Sequence, residues 1–465
     1  MKKIAIFLCL TAFLLVGCEK KQPELPPVSG NLTIWVSENG DFWEALGREF
    51  ISLFDSSDLQ FRVIAFESDT ELKKTLPDAI LEGNGPDIVF VDGDWIAHNV
   101  GKLVPLRDDE ALQPEKFKEY FTPSVARELI HGGVIWGVPM GIETLAVIYN
   151  AGHFEEEFGA DVKVGETWED FRDQAEALNR KNNSFERFAR SGGAIGRVDN
   201  IIRGKEIFFE LFLQLTGELF SDDGSEALFA ETKGVTSSGE RVNYALQALK
   251  FYLGFANEGV SYHSWNALFV SPESKHKDFE AFAKGNVSMV FGTPRDLKYI
   301  ESLFDSLPQG KRIPQNDIRV GFLPQFESPE KTSLRKVYGS VNALAVPVSS
   351  RDQQLAWQFL KFSLRTENLH GFFKSTGIPS PRQNLLQQEE TEPNREIFVR
   401  QAKVAQGMIF PLSREIILSG MKKLVHRTGE KILTPEEGLK EMEDTFNHML
   451  KRRRILQEAF SPPQQ

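Results

Sequence analysis

The chain has 465 residues, of which 41% are hydrophobic and 26% charged, the composition of a folded globular protein with room for two or three domain-sized units. Its formal net charge of −12 gives no overall attraction for nucleic acid. Both cysteines, Cys9 and Cys18, lie at the N-terminus, which excludes a disulfide framework or a cysteine metal site in the body of the chain.

Lys2 and Lys3 precede an apolar run of 13 residues, Ile4 to Val16. A spanning helix needs about 20, so residues 1–17 read as a signal peptide. The run ends in "LVGC", Leu15 to Cys18, which resembles the lipobox of bacterial lipoproteins, where the cysteine is lipidated and becomes the first mature residue. An ordinary signal peptide cut further on is the alternative, and the small Gly17 argues against it. Residues 18–30 are then the lipidated Cys18 and a proline-rich polar tether. They would hold a soluble body on the extracytoplasmic face of a bacterial membrane.

After the tether, "LTIWVS" (32–37) predicts a strand and Asp41 begins a helix whose Phe42, Leu46, Phe50 and Phe54 recur on one face. "LQFRVIAF" (59–66) predicts a second strand, 69–82 a helix, and "NGPDIVFVDGDWI" (84–96) a buried strand that stops at Asp92, Asp94 and Trp95. This alternation points to an α/β sheet with helical crossovers. Ligands bind beyond the carboxyl ends of such strands, which puts Ser37, Glu38 and Asn39 beside Asp92, Asp94 and Trp95. "GGVIWGVPMGIETLAVIYN" (132–150) adds two strand-like pieces. Helices dominate beyond it, with capping boxes at "TWED" (167–170) and "TPEE" (434–437). Strands return at 287–292, 318–324 and 337–348, so the chain is expected to cross between two lobes more than once.

No phosphate-binding loop, dinucleotide fingerprint, zinc-protease helix or nucleophile elbow occurs. The histidines show no i, i+4 pair, and "DDGSEALFAE" (222–231) lacks the alternating acids of a calcium loop; it reads as a turn leading into a helix. No cofactor and no metal site is expected. Asp92 and Asp94 could cap a helix, act on a substrate, or accept hydrogen bonds from sugar hydroxyls beside the ring of Trp95.

Seven segments in one order carry a resemblance: "LTIWV", "GPDIVFVDGDWIAHNVGKLVPL", "IWGVPMGIETLAVIYN", "TWEDF", "FEAFAKGNVSMVFGTP", "VGFLPQ" and "AWQFLKFSLRTENLHGFFKSTGIPSPRQNLL". Together they resemble the extracellular solute-binding proteins of carbohydrate ABC importers, family 1, which include the maltodextrin binders. The resemblance implies an α/β, two-lobe periplasmic-binding-protein-like fold with a hinge of several crossings and an interlobe cleft. Crossings are expected near Glu143, Leu323–Pro324 and Val346–Ser349. Lobe 1 would hold 31–143 plus 324–347, and lobe 2 would hold 144–323 plus 348–465.

The implied function is capture of a carbohydrate, without chemistry on it, and delivery to separate ABC permease subunits by a monomer held through its lipid alone. By the same resemblance Glu38, Asn39, Asp92, Asp94, Trp95 and the hinge-side Glu143 would contact ligand. Trp265 in "YHSWN" would supply a cleft ring, or pack under the segment that follows. Tyr338 and Asn342 would face the cleft from the late strands, although Tyr338 could equally be core. Where relatives often read Gly-Pro-Trp, this chain has Gly292, Thr293, Pro294 and Arg295. Arg295 can lie against a sugar ring or clamp an anion, so an anionic solute is the alternative. A hydrolase using Asp92, Asp94 and Glu143, or a structural surface lipoprotein, are the readings from other classes.

Overall fold

The computed structural model describes residues 30–460 apart from 55–57, 108, 110–111, 182–187, 231–233, 236–238, 240, 270–273, 275–276, 327–334 and 393. The expected signal peptide, Cys18 and tether lie outside the described residues. The described strands are β1 (Gly30–Val36), β2 (Leu59–Ala65), β3 (Ile88–Asp92), β4 (Ile130–His131), β5 (Val134–Ile135), β6 (Val138–Glu143) and β7 (Ala146–Asn150), followed by β8 (Arg180–Lys181), β9 (Phe188–Gly193), β10 (Gly234–Val235), β11 (Arg241–Val242), β12 (Val287–Gly292), β13 (Ile318–Gly321) and β14 (Ser340–Ala345).

Two five-stranded sheets organise the fold, ordered β2-β1-β3-β14-β6 and β13-β7-β12-β9-β8. In the first, β1 runs parallel to β2 and β3, while β14 lies antiparallel between β3 and β6. Strand alternation sorts its side chains into two cores. Ile34, Val36, Ile88 and Phe90 meet Trp43, Leu46 and Phe50 on one face; Trp35, Val89 and Val91 meet Leu72, Leu76 and Val125 on the other. The face read from Phe42 to Phe54 is therefore the one that packs. The second sheet carries a separate, aromatic-rich core around Trp168, Phe171, Phe208 and Phe291.

Local signals act as expected at both capping boxes. Thr167 accepts from the Asp170 N–H at 3.0 Å, and Thr434 from the Glu437 N–H at 3.2 Å. The turn at 221–225 forms, but the helix expected behind it does not: Phe220 bridges Ala227 instead, and the next helix starts at Tyr244.

The chain changes sheet between Glu143 and Ala146 and again before β14. Val337 and Tyr338 still pack in the second core, so this crossing lies at Gly339 rather than at Leu323–Pro324. The third crossing also moves. The helices Gln353–Ser363 and Thr366–Thr376 bury Leu355, Phe359 and Phe372 on the first sheet, and Val399 and Ala402 of Glu396–Val404 follow them. That last helix straddles the two lobes, since its Phe398 is buried in the second core, and Arg414–Gly429 and Pro435–Phe460 pack on the second core through Ile417, Met421 and Phe446. The division expected at 348 is thus corrected to the stretch after 404, because the apolar faces of the intervening helices match the first sheet.

The crossings lie side by side. Gln406 donates its N–H to Val337, and Gly339 donates to Gln406. A Cβ on Gly339 would stand 2.6 Å from Ala405 and 3.1 Å from Ile142, so this close approach requires glycine. The buried Gln401 ties two crossings together: its amide donates to Thr144 and the Leu145 carbonyl, each at 3.0 Å, and accepts from the Leu323 N–H at 2.8 Å.

Candidate functional site

Strand register brings distant residues to one edge of the first sheet. Asn342 lies opposite Asp92, and Ser340 opposite Glu143, while Glu38 follows the end of β1. Across the gap, β12 ends at Gly292, paired with Ala146. The helix Pro294–Ser306 starts there with proline in its first turn, and Arg295 projects from that turn.

Arg295 reaches into the first lobe. Its Nη2 pairs with Glu143 at 2.9 Å and donates to the Asn342 side-chain oxygen Oδ1 at 2.7 Å, while Nη1 pairs with Glu38. Asn342 in turn donates to Glu143 at 3.2 Å. Arg295 and Glu38 each keep 25% of their side-chain exposure and Glu143 13%. Glu143 Oε1 and Arg295 Nε are buried without a hydrogen-bond partner, while the Thr293 side chain closes a capping box with Asp296. Burial pushes the Glu38 carboxyl up to about 7, against the pull of Arg295. Asn39 sits next to Glu38 in the left-handed region, φ 53°, and its side chain does not cap the helix it precedes.

A second polar cluster surrounds Arg414. Asp92, rather than Asp94, is the helix N-cap and accepts from the Trp95 N–H at 2.8 Å. Asp92 also pairs with Lys73 and, at 3.2 Å, with Arg414. Asp94 accepts the Arg414 backbone N–H at 2.9 Å. Burial opposes ionisation of Asp92, but Lys73 and Arg414 overcome it and hold the carboxyl below its usual range. Asp94 is raised, by burial and by Asp92. Glu128, fully buried behind them, is pushed well up by burial while it accepts the Val341 N–H at 3.1 Å.

A groove of about 1090 Å³ between the lobes is lined on one side by Asp69, Lys73, Asp92 and Asp94 and on the other by Arg203, Lys205, Glu206 and Arg414, and its lining does not include Glu38, Glu143, Arg295 or Asn342. Arg203 is locked to Asp296 by two bonds of 2.6 and 2.8 Å.

Of the expected rings, Trp265 and Tyr338 do not line this groove and Trp95 only borders it. Trp265 is fully buried in the second core, donating to Asn200 at 2.9 Å and packed at a tilt of 36° against the Phe269 ring; its one donor is satisfied inside the lobe, and it is no cleft residue. Trp95 borders the groove but is 8% exposed, packed among Leu72, Val125 and Leu129. Tyr338 lies under the Arg414 guanidinium at 5.2 Å and against Phe209, its hydroxyl buried and unpartnered. Sequence reading missed Lys73, Arg203 and Arg414. Arg414 stands 320 residues from Asp94, and nothing in its local sequence distinguishes it from an ordinary helix-start residue. Among the described residues no group of three or more His, Cys, Asp or Glu is placed to hold a metal ion, and no helix is long and apolar enough to cross a membrane.

Solved structures share this architecture. An ABC transporter solute-binding protein from Thermotoga lettingae bound with α-D-tagatose superimposes with a TM-score of 0.70 at 21% identity, over 91% of this chain and 100% of that one. The sugar-binding protein MalE of Xanthomonas citri gives 0.71 at 16% identity, over 93% and 100%. A cyclo/maltodextrin-binding protein complexed with maltotetraose gives 0.67 at 18%, over 92% and 99%. A curated maltotriose-binding protein of Pyrococcus abyssi is 28% identical over 127 residues, so the match spans 26% of this chain and 26% of that relative. The sequence profile of the bacterial extracellular solute-binding proteins matches residues 54–399, across both sheets and two of the crossings. With that span, the chain belongs to the bacterial extracellular solute-binding proteins.

Proposed function

We propose that the protein captures a neutral carbohydrate between its lobes and delivers it to the permease subunits of an ABC importer. The observation that carries this reading is the cluster around Arg295. An acceptor on Glu143 and a donor on Arg295 are buried, unpartnered and contributed by opposite lobes. Buried polar atoms left unpaired are costly. A solute whose hydroxyls both donate and accept meets both needs.

The same cluster weighs against an anion. Arg295 is already paired with two carboxylates, so its neighbourhood carries one formal negative charge when both are ionised. Asp92, pinned as a cap between Lys73 and Arg414, has the partners of a structural anchor rather than of a general acid. No bond in the solute is made or broken. The names of the sugar-bound structures and of the maltotriose-binding relative support the solute class. The lipobox-like Leu15–Cys18 supports a body tethered through lipid outside the cytoplasmic membrane.

Thermal unfolding with a panel of neutral mono- and oligosaccharides tests the reading. A fitting sugar at 100 times its dissociation constant adds about 2.7 kcal/mol to stability and raises the midpoint. A panel that leaves the midpoint unmoved, while a sugar acid or phosphate raises it, overturns the neutral-sugar reading.

A further inference from the structure

Arg295 occupies a position that its own lobe does not explain. It sits in the first turn of a helix, where the backbone dipole disfavours a cation. Asp296, one residue on, behaves as that turn demands: it accepts the Thr293 N–H at 2.8 Å and takes both bonds from Arg203. Arg295 instead takes its partners from the opposite lobe, and from three separate strands: Glu38 just after β1, Glu143 at the end of β6 and Asn342 within β14.

Separation of the lobes would strip the guanidinium of these three contacts together. It would also leave Glu38 and Glu143 facing one another without the cation between them, an arrangement in which like charges repel. The arrangement therefore has two unequal states, paired when closed and frustrated when open.

We propose that Arg295 is an interlobe latch, an internal occupant of the Glu38–Glu143–Asn342 acceptor set that holds the solute-free cleft closed. It rests on the closing cleft proposed above but not on which solute fills it. A solute must then enter against a cleft biased shut, so its apparent affinity is set partly by how often the latch releases. Arginine suits this role better than lysine, because a planar fork reaches several acceptors at once and a point charge does not.

Small-angle X-ray scattering of the solute-free protein tests the latch, with wild type, Arg295→Ala, Arg295→Lys and the Glu38→Gln/Glu143→Gln double variant compared. The wild type should scatter as the closed structure does. Arg295→Ala should show a larger radius of gyration, Arg295→Lys an intermediate one, and the double variant should expand as Arg295→Ala does, since it breaks the same contacts from the other lobe. Circular dichroism confirms that each variant is folded, and the double variant carries the test if Arg295→Ala is not. An unchanged radius in the folded variants, or a wild type already as open as they are, overturns the latch. Because no solute is present, a sugar panel that fails touches only the carbohydrate reading.

Discussion

Arg295 and Arg414 both carry a guanidinium from the second lobe's side to acids of the first, yet the two clusters are built differently. Around Arg414, backbone takes part: its own N–H bonds to Asp94, and Asp92 caps a helix while pairing with Lys73. Around Arg295 every interlobe contact joins side chain to side chain. Backbone bonds fix the path of the chain, so the Arg414 cluster holds the hinge; side-chain contacts can part without refolding anything. One chemistry thus serves as pivot in one place and as clasp in the other, and the supporting backbone decides which.

Arg414→Ala breaks the pivot, and the largest effect is expected there. It removes the cation that Asp94 and Glu128 face and leaves Asp92 with Lys73 alone. Breaking a buried ion cluster by removing one partner costs about 3–5 kcal/mol, read as a lower midpoint in a urea titration. Gln401→Ala should follow, at about 1–3 kcal/mol, because it strands the Thr144, Leu145 and Leu323 groups that Gln401 satisfies between two crossings. A loss confined to the surface range would show that these crossings hold without the side-chain tie.

A pH series sharpens the contrast from another side. Burial pushes Glu210 up to about 8, Glu389 to about 8 and Asp278 to about 7. Each then holds a proton in the folded state that the unfolded chain releases above the ordinary carboxylate range. Unfolding releases protons across this window, so stability falls as pH rises from about 5 to about 8. Glu210 accepts the Tyr338 N–H beside the second crossing. Glu210→Gln keeps an acceptor there and removes the titration, so it should flatten part of the slope, raising the unfolding midpoint at pH 8 more than at pH 5. A slope identical to wild type would mean that Glu210 ionises freely at the hinge.

How much of this was legible follows from what each signal depends on. The strand Ile88–Asp92 and the caps at Thr167 and Thr434 were readable because their causes lie within a few residues. Strand ends that share an edge of the sheet bring only Glu38 and Asn39 toward Asp92 and Asp94; Glu143 and Asn342 were reached through the family resemblance, not through local pattern. The third crossing was misplaced because the apolar faces of Gln353–Ser363 and Thr366–Thr376 fit either sheet equally well in sequence; only packing chooses between them. Trp265 shows the same gap, since an indole suits a core as well as a sugar, and Asn200, the partner that satisfies it, lies 65 residues away. Arg414 and Lys73 gave no local sign because their partners are assembled by the fold.

The smallest expected change in stability belongs to Glu143→Gln, and it separates clasp from pivot most directly. Glu143 keeps 13% of its side-chain exposure and Arg295 25%, and the glutamine retains the shape and one acceptor oxygen of the carboxylate, so the change should cost about 1 kcal/mol of folding free energy, that of one weakened hydrogen bond. The glutamine amide can still accept from Asn342 or Arg295, but not with the charge of a carboxylate. For a bound sugar the balance reverses. A hydroxyl donating to a buried carboxylate is worth about 1.5–3 kcal/mol, so affinity should fall roughly tenfold to a hundredfold while the unfolding midpoint without sugar hardly moves. Titration calorimetry beside thermal unfolding checks both halves on one variant. A large stability loss with unchanged affinity would make Glu143 a second pivot group and leave the cleft without its best acceptor.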